Sequence, residues 1–119
     1  MNAQEYRRKS KKPDSFPVQD LKDTRRVLQR ERAPELVVVE RALAQGPLEK
    51  PPLHEQPDEA EFCVVKCSGE EAEAIVNYLF DAEASAVPAS GESTPEANRL
   101  ARLVDRWTRL REHLDEYGA

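Results

Sequence analysis

The most regular pattern of apolar and polar positions lies in the last quarter of the chain. Seven apolar residues recur there at helical spacing and share one face over about six turns: Leu100, Leu103, Val104, Trp107, Leu110, Leu114 and Tyr117. Thr94 before Pro95, or Ser93 paired with Glu96, supplies a helix start, and Gly118 follows the last apolar position. The pattern therefore predicts a long amphipathic helix.

A second amphipathic helix is predicted over residues 70–84. Its apolar face repeats every three or four residues: Ala72, Ile75, Val76, Leu79 and Phe80. Ser68 and Glu71 have the spacing of a capping box, in which each side chain accepts a hydrogen bond from the other's backbone N–H. A loop of about eight residues joins the two helices, so we expect an antiparallel helical hairpin.

A short strand is predicted immediately before this hairpin. Residues 62–67 alternate side chains between two faces and are rich in residues that favour strands. Because a lone strand leaves its backbone groups unpaired, it needs a partner strand. The sequence offers three candidates: residues 35–41, a second copy of the same strand, or another protein.

Residues 34–46 fit either a short helix or a strand. Three consecutive valines favour a strand. Pro34 at the front and Gly46-Pro47 behind follow the start and stop signals of a helix, which we favour. The fold class expected from all these elements is an α-rich α+β protein with one or two short strands and a C-terminal antiparallel helical hairpin.

Charge divides the chain into a basic arm and an acidic body. Residues 1–33 hold 10 Lys/Arg against 5 Asp/Glu, whereas residues 34–119 hold 8 against 18. Leu21 and Leu28 give the first part only a thin apolar stripe, so residues 1–33 are predicted to be a largely disordered arm. A linker rich in proline and acidic residues is predicted over 47–60, and a strand-helix-helix module over 61–119.

Composition excludes several classes of protein. The 119 residues contain no apolar run near the length of about 20 that a membrane span needs. The basic first residues are not followed by the apolar segment of a secretion signal. Two cysteines are too few for a disulfide scaffold, so we expect a cytoplasmic protein.

Candidate metal ligands and catalytic groups are sparse. Cys63 and Cys67 lie four positions apart, about 13 Å along a strand, which is too far for a shared metal or a disulfide. His54 and His113 are widely separated and form no zinc motif with them. A dyad of either cysteine with His113 has no orienting third group, and no phosphate-binding or hydrolase motif occurs. We therefore expect that the protein is not an enzyme and that it binds neither a metal nor a cofactor.

The predicted function is that of a small protein-interaction or regulatory adaptor. A core of about 60 residues barely offsets the loss of chain entropy, so another protein, a second copy of the chain as a homodimer, or residues 34–45 should cover it. The predicted contact residues lie on the last helix: Trp107, Leu103, Leu110, Leu114, Tyr117 and Arg106.

The alternative is a nucleic-acid-associated protein that contacts phosphates through its basic arm. Phosphate neutralisation requires only positive charge, which a disordered segment can supply. The candidate contacts are Arg7, Arg8, Lys9, Lys11, Lys12, Arg25 and Arg26.

Overall fold

The computed structural model describes residues 4–5, 8, 11–47, 61–92 and 94–117. Its elements, in chain order, are β1 (Ser15–Pro17), α1 (Val18–Arg30), α2 (Leu36–Gln45), β2 (Phe62–Val64), α3 (Gly69–Ala86) and α4 (Pro95–Tyr117). The described chain is mostly helical, with a two-stranded antiparallel sheet, which confirms the predicted α-rich α+β class. Most of the predicted linker, residues 48–60, lies outside the described residues.

Helices α3 and α4 form the predicted hairpin, and local signals fix where each begins. The Ser68 hydroxyl accepts a hydrogen bond from the Glu71 N–H at 3.1 Å, and the Glu71 carboxylate accepts one from the Ser68 N–H at 2.9 Å. This is the expected capping box. At α4, the Thr94 hydroxyl accepts from the Ala97 N–H at 3.0 Å, and Pro95 occupies the first helical position.

The partner of the predicted strand is a segment that the sequence did not suggest. β1 pairs antiparallel with β2, and Phe16 lies opposite Cys63. The Val65 N–H donates to the Asp14 carbonyl at 2.8 Å, and the Val18 N–H donates to the Glu61 carbonyl at 2.8 Å. The strand thus pairs within its own chain, the expectation that residues 35–41 supply the partner is wrong, and β2 is shorter than the predicted 62–67.

The prediction of a largely disordered arm is wrong for residues 15–33. Helix α1 buries four side chains on one face: Leu21, Thr24, Val27 and Leu28. Thr24 and Val27 widen the stripe that Leu21 and Leu28 begin, so the helix has enough buried surface to pack. Arg32 takes a left-handed φ of 53°, and the Ala33 N–H donates to the Leu28 carbonyl at 3.0 Å, which ends the helix in a Schellman turn.

Residues 36–45 form a helix, the favoured of the two interpretations. Val38, Val39 and Ala42 face the core, whereas Val37 is 55% exposed. Gly46, with a φ of 82°, follows the last helical residue as the sequence indicates.

The centre of the core is Trp107, which is fully buried. Its ring packs against Phe16 with 4.4 Å between ring centroids, and its indole N–H donates to the Thr24 hydroxyl at 3.0 Å. Residues from β1 and α1 thus cover the hairpin. Residues 34–45, one of the expected sources of cover, also join the core through Val38, Val39 and Ala42, and residues 15–33 supply cover that the sequence did not predict.

Candidate binding surfaces

The predicted contact residues of α4 are part of the chain's own core. Trp107, Leu103 and Leu110 have no exposed surface, and Leu114 is half-buried against them. The side chain of Tyr117 lies outside the described part of the structure. These side chains pack against β1, α1 and α3 of the same chain. This finding corrects the prediction that they form a contact surface centred on Trp107.

The cysteines are in surroundings that favour the neutral thiol. Cys63 is buried, and burial, followed by the charge of Glu61, raises its pKa. Burial, and secondly the charge of Glu71, raises the pKa of Cys67 to about 11. A neutral thiol is a poor nucleophile, which disfavours a catalytic role for either residue.

Cys67 and His113 do meet in the fold, since both line a cavity of about 230 Å³ together with Asp14. The raised pKa of the Cys67 thiol disfavours its use as an activated nucleophile there. Within the described ranges, no three His, Cys, Asp or Glu side chains are grouped so that they could hold a metal ion.

A groove runs along the outer side of α3, and we call it the α3 groove. It consists of two adjoining cavities of about 370 and 320 Å³, which share Tyr78 and Asp81. Residues near the end of α1, the following turn and the start of α4 complete its walls. The lining residues are Arg30, Glu31, Pro34, Glu35, Ala74, Asn77, Tyr78, Asp81, Ala82, Ser85, Ala86 and Glu96.

The α3 groove is acidic. Four of its lining residues are carboxylates, Glu31, Glu35, Asp81 and Glu96, whereas Arg30 is its one basic residue. The Arg30 guanidinium lies 3.8 Å from the Glu31 carboxylate, a distance typical of a weak surface pair. One carboxylate oxygen of Glu35 is buried and has no hydrogen-bond partner within the described structure. The sequence did not reveal this site, because its residues come from three separate segments.

A second charged surface forms where residues 11–15 lie against α4. The Arg106 guanidinium donates to the carbonyls of Pro13 at 2.8 Å, Lys12 at 3.3 Å and Ser15. It also lies 4.2 Å from the centre of the Phe16 ring. The Arg109 guanidinium donates to the Lys11 carbonyl at 3.0 Å. Two arginines of α4 therefore hold this segment in place through neutral carbonyl groups.

The cations of this surface form no ion pair with a carboxylate in the part of the chain that the structure describes. We call Lys11, Lys12, Arg106 and Arg109 the basic surface; among the described residues none of them has a carboxylate within ion-pair distance. Arg99 differs, because its guanidinium lies 2.6 Å from the carboxylates of both Asp20 and Asp23. Burial, and secondly the charge of Arg109, lowers the pKa of Arg106. The sequence predicted Lys11 and Lys12 as anion contacts but did not associate them with α4.

The other predicted phosphate contacts are distributed differently. Arg8 is exposed, Arg25 is half-buried on α1, and the Arg26 guanidinium lies 3.8 Å from Asp23. Arg7 and Lys9 lie outside the described residues. The structure thus brings together Lys11, Lys12 and the two arginines of α4, rather than the whole predicted set.

Comparisons with known proteins add no functional assignment. No protein-family model, curated protein or solved structure matches this chain. None of the described helices is both long and apolar enough to cross a bilayer.

Proposed function

We propose that this protein is a small non-enzymatic adaptor that binds another protein through the α3 groove. The observation that carries the proposal is the unbalanced charge of this groove, four carboxylates against one guanidinium, together with the unpartnered carboxylate oxygen of Glu35. A buried carboxylate oxygen requires a hydrogen-bond donor, and a cationic side chain of a partner would supply both a donor and the opposite charge. We place the protein in the cytoplasm because its cysteine content is typical of a reducing compartment.

The partner that fits the α3 groove is a basic peptide segment. Asp81 lies at the junction of the two cavities, where a guanidinium could donate two parallel hydrogen bonds to its carboxylate. The Tyr78 ring lines both cavities and offers apolar surface for the methylene stem of an arginine or lysine. Two adjoining cavities suit an extended segment that carries basic residues in successive positions.

Peptide binding to matched variants tests this proposal. The probes are fluorescein-labelled peptides of four Arg-Ala repeats and of four Glu-Ala repeats, measured by fluorescence anisotropy. Glu35→Gln combined with Asp81→Asn keeps the side-chain shapes and removes two charges from the groove. We expect affinity for the basic peptide to fall at least about tenfold, which corresponds to about 1.4 kcal/mol.

The control removes the same charge elsewhere. Glu73→Gln combined with Glu92→Gln changes two exposed carboxylates that do not line the groove. We expect less than a twofold effect. An equal loss of affinity in both double variants would contradict the proposal, since it would show that only net charge matters. Preference for the acidic peptide would contradict it as well.

A second copy of the chain is the other predicted partner. Its basic surface has the charge that the α3 groove lacks, so self-association would place one copy's Lys11 and Lys12 against another copy's Glu35 and Asp81. Light scattering over a concentration series, repeated with the Glu35→Gln/Asp81→Asn variant, distinguishes self-association from binding of a different protein. If two copies associate through the α3 groove, the wild type forms an oligomer and the variant does not.

A further inference from the structure

We propose that the basic surface binds the phosphate backbone of double-stranded nucleic acid. This surface differs from the α3 groove in position as well as in charge. Glu96 of the groove and Arg106 are ten residues apart on α4, which corresponds to about 15 Å along the helix axis. The two surfaces can therefore act independently.

The first observation in support is that hydrogen bonds within the protein hold the basic surface in place before a ligand binds. The Arg106 guanidinium contacts the carbonyls of Lys12, Pro13 and Ser15. The Ser15 N–H closes the same turn by donating to the Lys12 carbonyl at 3.0 Å. Because carbonyl groups carry no net charge, Arg106 fixes the segment without losing its own positive charge. Lys11 and Lys12 are consequently held beside α4, where a flexible arm would spread them over many positions.

The second observation in support is that the basic surface has hydrogen-bond donors without a partner in the described structure. Lys11 and Lys12 are exposed, and no hydrogen bond or ion pair of their ammonium groups occurs within the described structure. Arg109 is exposed and uses one terminal nitrogen to contact Lys11, which leaves other N–H groups available. Asp20 of α1 and Asp14 of the docked turn both act on Arg106 through their charges. Four cations against these two carboxylates leave an excess of two positive charges.

The character of the surface favours a duplex backbone over other anionic ligands. Proteins that bind single strands stack bases on exposed aromatic rings, and here Phe16 is fully buried beneath Arg106. Membrane-surface binding is stronger where exposed apolar side chains lie beside the cations. The large apolar side chains exposed in the described structure, Val37, Phe80 and Val87, belong to α2, α3 and the residue after α3. Duplex phosphates require only closely spaced positive charge, and the binding should be independent of sequence.

Salt dependence gives this proposal a quantitative test. Three free cations, Lys11, Lys12 and Arg109, predict a slope of about −2.7 for log K against log salt with B-form DNA. Affinity for a fluorescein-labelled 20-base-pair duplex should then fall about 40-fold between 50 and 200 mM salt. In Lys11→Gln/Lys12→Gln, binding at 50 mM should be weaker and the slope should shrink to about −0.9.

The matched control is Lys22→Gln/Arg26→Gln, which removes two exposed cations from α1 and makes the same change in net charge. It should retain the wild-type slope. The single strand, phosphatidylserine vesicles and polyglutamate are measured alongside at 50 mM salt, and each should bind more weakly than the duplex.

The proposal would be overturned if the duplex did not bind at 50 mM salt, or if the slope of log K against log salt were near zero. It would also be overturned if the α1 control lost as much duplex affinity as the Lys11→Gln/Lys12→Gln variant, or if vesicles, the single strand or polyglutamate bound more tightly than the duplex. The Glu35→Gln/Asp81→Asn variant should bind the duplex as the wild type does, so failure of the α3 groove proposal would leave this one standing.

Discussion

Replacing Phe16 with alanine should strongly destabilise the protein, although the residue belongs to a segment whose composition is typical of a disordered tail. Phe16 is fully buried, its ring lies 4.4 Å from that of Trp107, and the Arg106 guanidinium covers it at 4.2 Å. The substitution would leave a cavity between β1 and α4. It would also remove the aromatic contact that joins the N-terminal segment to the helical hairpin.

The magnitude follows from the burial of the ring. Truncation of a buried phenylalanine to alanine costs about 3–5 kcal/mol, because the lost transfer free energy adds to the cost of the cavity. Domains of this size are stable by about 5–15 kcal/mol, so Phe16→Ala should remove a large fraction of the free energy of unfolding. With a urea m-value of about 1.5–2 kcal/mol/M, the midpoint should fall by about 2 M.

Urea denaturation measured by circular dichroism and by fluorescence provides the assay. Trp107 is the single tryptophan of the chain, so its emission reports directly on the cavity beside it. Phe80→Ala is the matched control, because the Phe80 side chain is 59% exposed and its loss should change stability by about 0.5 kcal/mol or less. Equal midpoints for the two variants would refute the placement of Phe16 in the core.

Two further predictions concern single buried groups. Thr24→Val removes the hydroxyl that accepts from the Trp107 indole at 3.0 Å and donates to the Asp20 carbonyl at 2.8 Å. The indole N–H is then buried without a partner, and unfolding experiments should show a loss of about 1–3 kcal/mol; a loss below about 0.5 kcal/mol would contradict this reasoning. Because burial raises the pKa of Cys67 from 9.0 to about 11, its alkylation by iodoacetamide at pH 8 should be about 100-fold slower than in urea-unfolded protein. Equal rates in the two states would show that the thiol is not shielded.

The helical hairpin was predictable because its determinants are local. Ser68 and Glu71 form the capping box within a single turn, and the apolar spacing of α3 and α4 reflects the helical period itself. β1 is different, because Ser15–Pro17 is only three residues long and shows no alternation that would distinguish it from a loop. Its formation depends on pairing with residues about 47 positions later, a contact that local pattern does not encode.

The binding surfaces were harder still to predict from the sequence. Trp107 could equally have been a core residue or a contact residue, and only its neighbours Phe16 and Thr24 decide between these roles. Glu35 precedes α2 and Asp81 belongs to α3, yet both line the same cavity. Surfaces assembled from distant segments need the fold before their charges can be associated.

Native-state hydrogen exchange of the intact chain tests most directly whether residues 15–33 and the α3–α4 hairpin form one cooperative structure. The Leu28 amide lies in the interior of α1, the Val65 amide donates to Asp14 across the sheet at 2.8 Å, and Leu103 is buried in the middle of α4. The account predicts exchange free energies for Leu28 and Val65 within about 1 kcal/mol of that for Leu103. Rapid exchange at Leu28 and Val65 while Leu103 stays protected would contradict it, because the N-terminal segment would then unfold independently of the hairpin.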